Sequence, residues 1–329
     1  MNPFSRSNCF LGLRAILLGV TVIAPCVQAQ SYPVKPIKII VPYTPAGGAD
    51  ITARTIAQKL SERLSQPVVV DNRPGAGGNI GHDLLAKSPP DGYTIMIAGL
   101  SLVTNGFLQD KLPYDPINDF APISQAVTIP NVLAVYPGIA AKNVRELIAL
   151  AKAKPGGLNY ASAGNGTSLH LAAELFKLLA NVDLAHIPYK GSGQAEPDVI
   201  SGQVELIFDP LASVLPHVKS GKLCALGIST AKRSAALPDV PTIAEAGVPG
   251  YEFAAWYGFF VPAKTPPEII TKLNREIVAI LQLADVRAKL SSLGVEFVAS
   301  TPQALAKQMR DDAAKWGKVL KKSAAILQN

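Results

Sequence analysis

Two glycine-rich segments, roughly 115 positions apart, each stand between a short apolar run of strand character and a run with helical spacing. The first is Thr44-Pro45-Ala46-Gly47-Gly48-Ala49-Asp50, after residues 37–43 and before 51–64. The second is Ser162-Ala163-Gly164-Asn165-Gly166-Thr167-Ser168, between 158–161 and 169–180. A loop that enters a helix in this way leaves the first N–H groups of the helix without intrahelical partners, and the helix dipole adds partial positive charge there. Glycines let an anion approach those donors closely, so no basic side chain is needed. Two such loops in separate halves point to a cleft between two lobes that closes on a small anion, with a carboxylate expected.

The N-terminus bears on where such a protein works. Arg6 and Arg14 precede an apolar stretch at 15–24, and Val27-Gln28-Ala29 offers small residues where a signal peptidase reads. Residues 1–29 therefore read as a cleaved secretory leader. The stretch is far short of the roughly 20 apolar residues that span a bilayer, and Pro25 before Cys26 is a poor match to a lipidation box. About 300 residues remain, enough for two domains with a core each. Of three cysteines only Cys224 lies beyond the leader, inside the apolar run 223–228, and it reads as a small core residue. The chain has 31 basic and 24 acidic residues, of which the leader holds two basic ones. The remaining excess is mild and scattered along helices, as at Lys315, Lys318, Lys321 and Lys322, so no nucleic-acid partner is expected.

Past the leader, apolar runs alternate with amphipathic helical spacing. Strands are expected at 37–42, 68–71, 94–98, 123–127, 132–136, 158–161, 185–189, 205–208, 223–229, 256–261 and 295–298. Short apolar strands alternating with helices predict an α/β fold, with a mostly parallel sheet covered on both faces. Capping-box spacing marks helix starts at Asn143 with Glu146, Thr265 with Glu268 and Ser300 with Gln303. Pro266 and Pro302 fall in first turns, where a missing N–H costs little. Ile269, Ile270, Leu273, Ile277 and Leu281 share a helix face and are expected in the core.

Several chemistries find no support. His82, His170, His186 and His217 are scattered without metal-ligand spacing, and neither a nucleophile elbow nor a P-loop occurs. Gly75-Ala76-Gly77-Gly78-Asn79-Ile80-Gly81 misses the dinucleotide spacing because its third glycine comes one position late. No catalytic residue, cofactor or metal is therefore expected. The ligand-binding candidates begin with Thr44, Pro45, Ala46, Gly47 and Gly48 of the first loop, together with Asp50, whose main expected role is to stabilise the first helical turn. Ser162, Gly166, Thr167 and Ser168 follow in the second loop, where one hydroxyl should cap the helix and another donate to ligand. His170, one turn into that helix, is either packed or at the cleft border. Tyr189 is a further candidate, and Asp209 is placed to read a polar group at the far end of the ligand. Asn72 and Arg73 should brace their turn, while Trp256 and Tyr257 read first as core aromatics.

The motifs also carry a resemblance. Ile39-Ile40-Val41-Pro42-Tyr43 leading into Pro45-Ala46-Gly47-Gly48-Ala49-Asp50, and Asp71-Asn72-Arg73-Pro74 leading into the 75–81 glycine run, resemble two signatures of the Bug family, substrate receptors of tripartite tricarboxylate transporters. Pro90-Asp91-Gly92-Tyr93-Thr94, Leu112-Pro113-Tyr114-Asp115-Pro116, His186-Ile187-Pro188-Tyr189-Lys190-Gly191, Pro238-Asp239-Val240-Pro241-Thr242, Trp256-Tyr257-Gly258 and Pro262-Ala263-Lys264-Thr265-Pro266 continue it in order. The resemblance implies a periplasmic receptor with the two-domain, type II-like binding-protein fold, joined by two crossover strands. It also implies a carboxylate held by main-chain and hydroxyl donors without an arginine clamp, and membrane subunits of a transporter as partners. Asn165-Gly166-Thr167 and Asp209-Pro210 depart from the family pattern, the second by lacking an amide that could face the ligand. Domain one is expected at 30–127 and 256–329 and domain two at 128–255, in a monomer. Two alternatives stand beside transport: an extracytoplasmic sensor with the same cleft, and a secreted enzyme of the same fold acting on a carboxylate.

Overall fold

Strand β1 (Ile37–Val41) opens the described part of the chain with both its faces buried: Ile37, Ile39 and Val41 enter one hydrophobic cluster and Ile40 another. That double burial is why the strand is apolar at every position but the exposed Lys38 rather than alternating. The computed structural model describes residues 32–109, 111–291 and 294–326, with side chains up to 320, and these belong to one compact unit. The expected leader and its cleavage site lie outside the described residues.

After β1 come α1 (Gly48–Leu64), β2 (Val68–Asn72), α2 (Asn79–Ala86), β3 (Thr94–Ala98), the single-turn α3 (Ser101–Thr104) and the long β4 (Phe120–Val135). The middle of the chain holds α4 (Val144–Ala153), β5 (Asn159–Ser162), α5 (Ser168–Ala180), β6 (Ala185–Pro188), α6 (Ser192–Ile200), β7 (Leu206–Pro210), α7 (Leu211–Lys219) and β8 (Cys224–Ile228). It ends with β9 (Ala254–Pro262), α8 (Pro267–Leu281), α9 (Ala284–Ser291), β10 (Glu296–Phe297) and α10 (Pro302–Ile326).

The sheet runs β2-β1-β3-β9-β4-β7-β5-β6, with β8 and β10 also paired to β4. Its two flanks are parallel, β1 with β2 and β3, and β5 with β6 and β7. Its centre is antiparallel, because β9 pairs with both β3 and β4, and β4 also with β7 and β8. The strands expected at 123–127 and 132–136 are thus one strand. Pro130 made them look separate, since proline cannot donate to a ladder. It is tolerated because it stands at the joint: up to Pro130 the partner of β4 is β9, and from Asn131 onward it is β7 and β8.

The first flank packs Ile95, Ile97 and the odd positions of β1 on Ile56 and Leu60 of α1 and on Leu273, Ile277 and Leu281 of α8, as the helical spacing predicts. Ile269 and Ile270, in the first turn of α8, are only partly buried. Each fully buried Leu or Ile is worth about 1.5–3 kcal/mol relative to exposure. The second flank closes on Val199 of α6 and Leu211 and Val214 of α7, and Phe176, Phe208 and Tyr251 cluster in the other core, with Tyr251 edge-on to Phe176.

Helix starts follow the capping rules in part. Asn143 caps α4, its Oδ1 accepting from the Glu146 amide at 3.0 Å while Glu146 reaches back to the Lys142 amide. Thr265 does not cap α8: its hydroxyl turns back to the Pro262 carbonyl at 2.8 Å, and two prolines carry the chain into the helix. Thr301, not Ser300, caps α10 by accepting from the Ala304 amide, because the Ser300 hydroxyl is held by the Gln125 amide of β4.

Candidate functional site

Three helices begin at one cavity. Gly47, Gly48 and Ala49 bring the start of α1, Thr167, Ser168 and Leu169 that of α5, and Ser192 that of α6. These helices are 17, 13 and 9 residues long, so each presents unpaired first-turn N–H groups and the positive end of a dipole. Tyr43, Leu100, Ala163, Trp256 and Tyr257 supply the remaining walls, and no charged side chain lines the cavity among the described residues. An anion there gains about 0.3–1 kcal/mol from each aligned helix end, and more when buried. The cavity is narrow, about 20 Å³, room for one or two water molecules.

The first loop is shaped by Asp50. Its Oδ2 accepts from the Ala46 amide at 3.0 Å and from Arg54 Nε at 2.9 Å, and its Oδ1 from Asn72 Nδ2 at 2.9 Å. Burial alone would raise this carboxyl, but the hydrogen bonds from Arg54, Asn72 and the Ala46 amide hold it below the ordinary carboxylate value. The anchoring is needed because Ala46 sits at φ 69°, which costs a non-glycine residue energy. Asn72 also donates to the Tyr43 carbonyl at 3.1 Å, so it braces the turn as expected.

A stack of rings shapes the second loop. His186 lies between Tyr160 and His170, with centroids at 4.7 and 4.5 Å. Ser162 Oγ meets His186 Nε2 at 2.6 Å and accepts from the Gly164 amide at 3.0 Å, while His170 Nδ1 accepts from the Gly166 amide at 3.2 Å. Burial lowers both histidines, His170 to about 4 and His186 to about 3, so the stack is neutral around pH 7. Thr167 spends its hydroxyl proton on the Gly164 carbonyl at 2.7 Å.

Of the sequence candidates, Gly47, Gly48, Thr167 and Ser168 line the cavity and the others do not. Asp50, Ser162 and His170 hold the loops from behind. Ala46 carries the strained turn, and Pro45 abuts Gly193 through its carbonyl. Thr44 packs into the turn at Gly191, where a Cβ would run into its hydroxyl. Gly166 has no room for a side chain either, because Asn105 lies against it, and its carbonyl accepts from Thr104 at 2.7 Å. Tyr189 points away and donates to Asp198 at 2.5 Å. Asp209 is fully buried behind Ser192, whose hydroxyl donates to its Oδ1 at 2.7 Å.

Sequence reasoning missed Ser192, Tyr43, Leu100, and the role of Trp256 and Tyr257 as walls. Ser192 carries the same signal as the other two loops, since Gly191-Ser192-Gly193 follows β6 and opens a helix. Trp256 and Tyr257 are both buried and cavity-facing, because β9 runs through the middle of the sheet beneath the loops. The Trp256 indole N–H is taken by Asp312 at 2.7 Å, and its ring lies near Phe260. The Ser168 and Tyr257 side chains are neighbours on the cavity wall, and Ser168 acts to lower the Tyr257 phenol against burial. Burial pushes the Tyr43 phenol up to about 12 and that of Tyr257 higher still, so both remain neutral, and the Tyr43 hydroxyl is paired with that of Ser101 at 2.5 Å.

Comparison with known proteins gives a consistent picture. The family model described as tripartite tricarboxylate transporter family receptor matches residues 52–325. BugT of Bordetella pertussis is 38% identical over 320 residues, which cover 97% of this chain and 98% of BugT. Among solved structures, Rpa4515 of R. palustris with adipate is similar at a TM-score of 0.87 and 38% identity, over 89% of this chain and 98% of that one. The periplasmic binding protein BugD is similar at a TM-score of 0.86 and 31% identity, over 89% of this chain and 99% of BugD.

Proposed function

The chain belongs to the receptor family of the tripartite tricarboxylate transporters, and on that premise we propose that it captures a small organic carboxylate in this cavity and delivers it to the membrane subunits of such a transporter. The observation that carries the reading is the meeting of three helix N-termini at one cavity walled by glycines, hydroxyls and aromatic rings, without a basic side chain. Such a site suits a carboxylate better than a neutral solute, because its donors are fixed and its dipoles converge. The Ser162–His186 pair stands behind the second loop and off the cavity wall, so the reading assigns the site no chemistry. The adipate held by Rpa4515 accords with this choice of ligand.

Residues 30–127 with 256–329 are read as one lobe and 128–255 as the other, with β4 and β9 as the two crossings. Residues 1–29 are read as the leader that takes the protein to the periplasm, where it works as a monomer. N-terminal sequencing of the exported protein should then begin near Gln30; an intact leader would show the export reading to be wrong.

A thermal-shift panel of organic acids and their uncharged amides tests the central claim. At a hundred times its dissociation constant a ligand stabilises the fold by about 2.7 kcal/mol. At least one carboxylate should raise the melting temperature while its amide does not. A panel in which no acid shifts the melt, or in which amides match acids, would remove the carboxylate reading.

A further inference from the structure

Ser192 is tied to a pair of buried acids that nothing in the carboxylate reading uses. Its hydroxyl donates to Asp209 Oδ1 at 2.7 Å. A serine hydroxyl has one proton, so with that proton on Asp209 its oxygen offers only lone pairs to the cavity. The orientation is enforced from behind. Glu196, one helical turn beyond Ser192 on α6, adjoins Asp209 and acts on its carboxyl. Asp209 Oδ2 and Glu196 Oε1 are both buried, with no donor from any other group. Two carboxyl oxygens can face each other in such a place only with a proton between them.

Burial, and then the charge of Glu196, push the Asp209 carboxyl far above its ordinary range, so the shared proton resides on Asp209 Oδ2. Oδ1 is left as the carbonyl-like acceptor that fixes Ser192. Glu196 completes its own bonding through Oε2, which meets His217 Nε2 of α7 at 3.1 Å. The result is a cavity with two chemical poles. The helix ends of α1, α5 and α6 and the neutral Tyr257 phenol donate; Ser192 Oγ accepts.

We infer that Ser192, oriented through Asp209 and Glu196, makes this receptor select carboxylates that also carry a hydroxyl or an ammonium group over the same acids without one. The inference rests on the carboxylate reading of the cavity and adds a second recognition point to it. An acid lacking the donor must bury the Ser192 lone pair unsatisfied, whereas one that has it completes the bond.

The test uses matched acids on the full-length exported protein, by calorimetry: succinate, malate and aspartate, and benzoate with 4-hydroxybenzoate. The donor-bearing member of at least one set should bind at least about tenfold more tightly. Ser192→Ala should level that preference, chiefly by relieving the penalty on the parent acid. Asp209→Asn should retain it, because the amide oxygen still accepts from Ser192 and the amide N–H replaces the shared proton toward Glu196. Asp209→Ala should lose it, since Ser192 is then free to turn and donate. Binding without preference in every set, or a preference that survives Ser192→Ala in a folded variant, would overturn the inference alone. Absence of binding by every acid would overturn the carboxylate reading, and this inference with it.

Discussion

Gly48 shows how much a single residue can decide here. A Cβ at this position would lie 3.2 Å from Pro210 Cβ and 3.4 Å from Tyr257 Cε2, contacts that even alanine would press and a branched side chain would violate. Gly48→Val should therefore cost about 1–3 kcal/mol of stability and also block the approach to the first amides of α1. Binding of any acid identified by the thermal panel should be lost, with Gly48→Ala intermediate; undiminished affinity in calorimetry would take the anion off α1. The hydroxyls divide differently from their sequence reading. Thr167 is committed to the Gly164 carbonyl, so Thr167→Ala should lower stability by about 1 kcal/mol and leave affinity nearly unchanged. Ser168 and Tyr257 stand side by side on the cavity wall, and the neutral Tyr257 phenol supplies a proton there. Tyr257→Phe removes it and should weaken binding by about 1.5–3 kcal/mol, roughly ten- to a hundredfold. If Thr167→Ala instead proves the weaker binder, the roles given to these two residues are reversed.

At the scale of elements, the ring stack under α5 gives the fold a pH dependence of known sign. His82, like His186, is held to about 3 by burial, and His170 to about 4. In the unfolded chain each titrates near 6.5. Below that value the unfolded state takes up protons that the folded state refuses, so stability is full above about pH 6.5 and declines as the pH falls toward 4. Each histidine contributes up to about 1.4 kcal/mol per pH unit in that window. Asp209 acts with the opposite sign, because its raised folded value makes the native state the better proton binder there. Urea unfolding at pH 7.5, 5.5 and 4.5 should show the net decline, steeper in Asp209→Asn. A flat profile in both proteins would mean that the stack accepts protons without loss.

For the molecule as a whole, the seam around the cavity is tight. Thr104, the last residue of the single-turn α3, donates to the Gly166 carbonyl at 2.7 Å, and the 191–193 turn presses on Thr44 and Pro45. A cavity of about 20 Å³ cannot admit an organic acid as it stands, so entry requires the walls to part. Thr104→Val removes the one hydroxyl contact while keeping the volume, and should favour the open form. In small-angle scattering the unliganded variant should be more extended than the unliganded parent, and saturating ligand should bring the two together. Identical profiles without ligand would mean that this contact does not hold the seam.

What the sequence alone determined was whatever depends on neighbours along the chain. The strand–glycine–helix order at 44–50 and 162–168 makes an anion-binding helix start from local geometry, and the 3.6-residue spacing of Leu273, Ile277 and Leu281 makes one helix face apolar wherever that face packs. The Asn143 cap is of the same kind, closed within three residues. Tertiary structure decided which of these local features share a place. Pro130 looked like a strand end until the change of partners from β9 to β7 and β8 showed why the strand continues. Trp256 and Tyr257 have the composition of core aromatics, and only the central position of β9 turns them toward the cavity. The proton between Asp209 and Glu196 is invisible in sequence, because it exists only once folding has taken both acids out of water and brought their oxygens face to face.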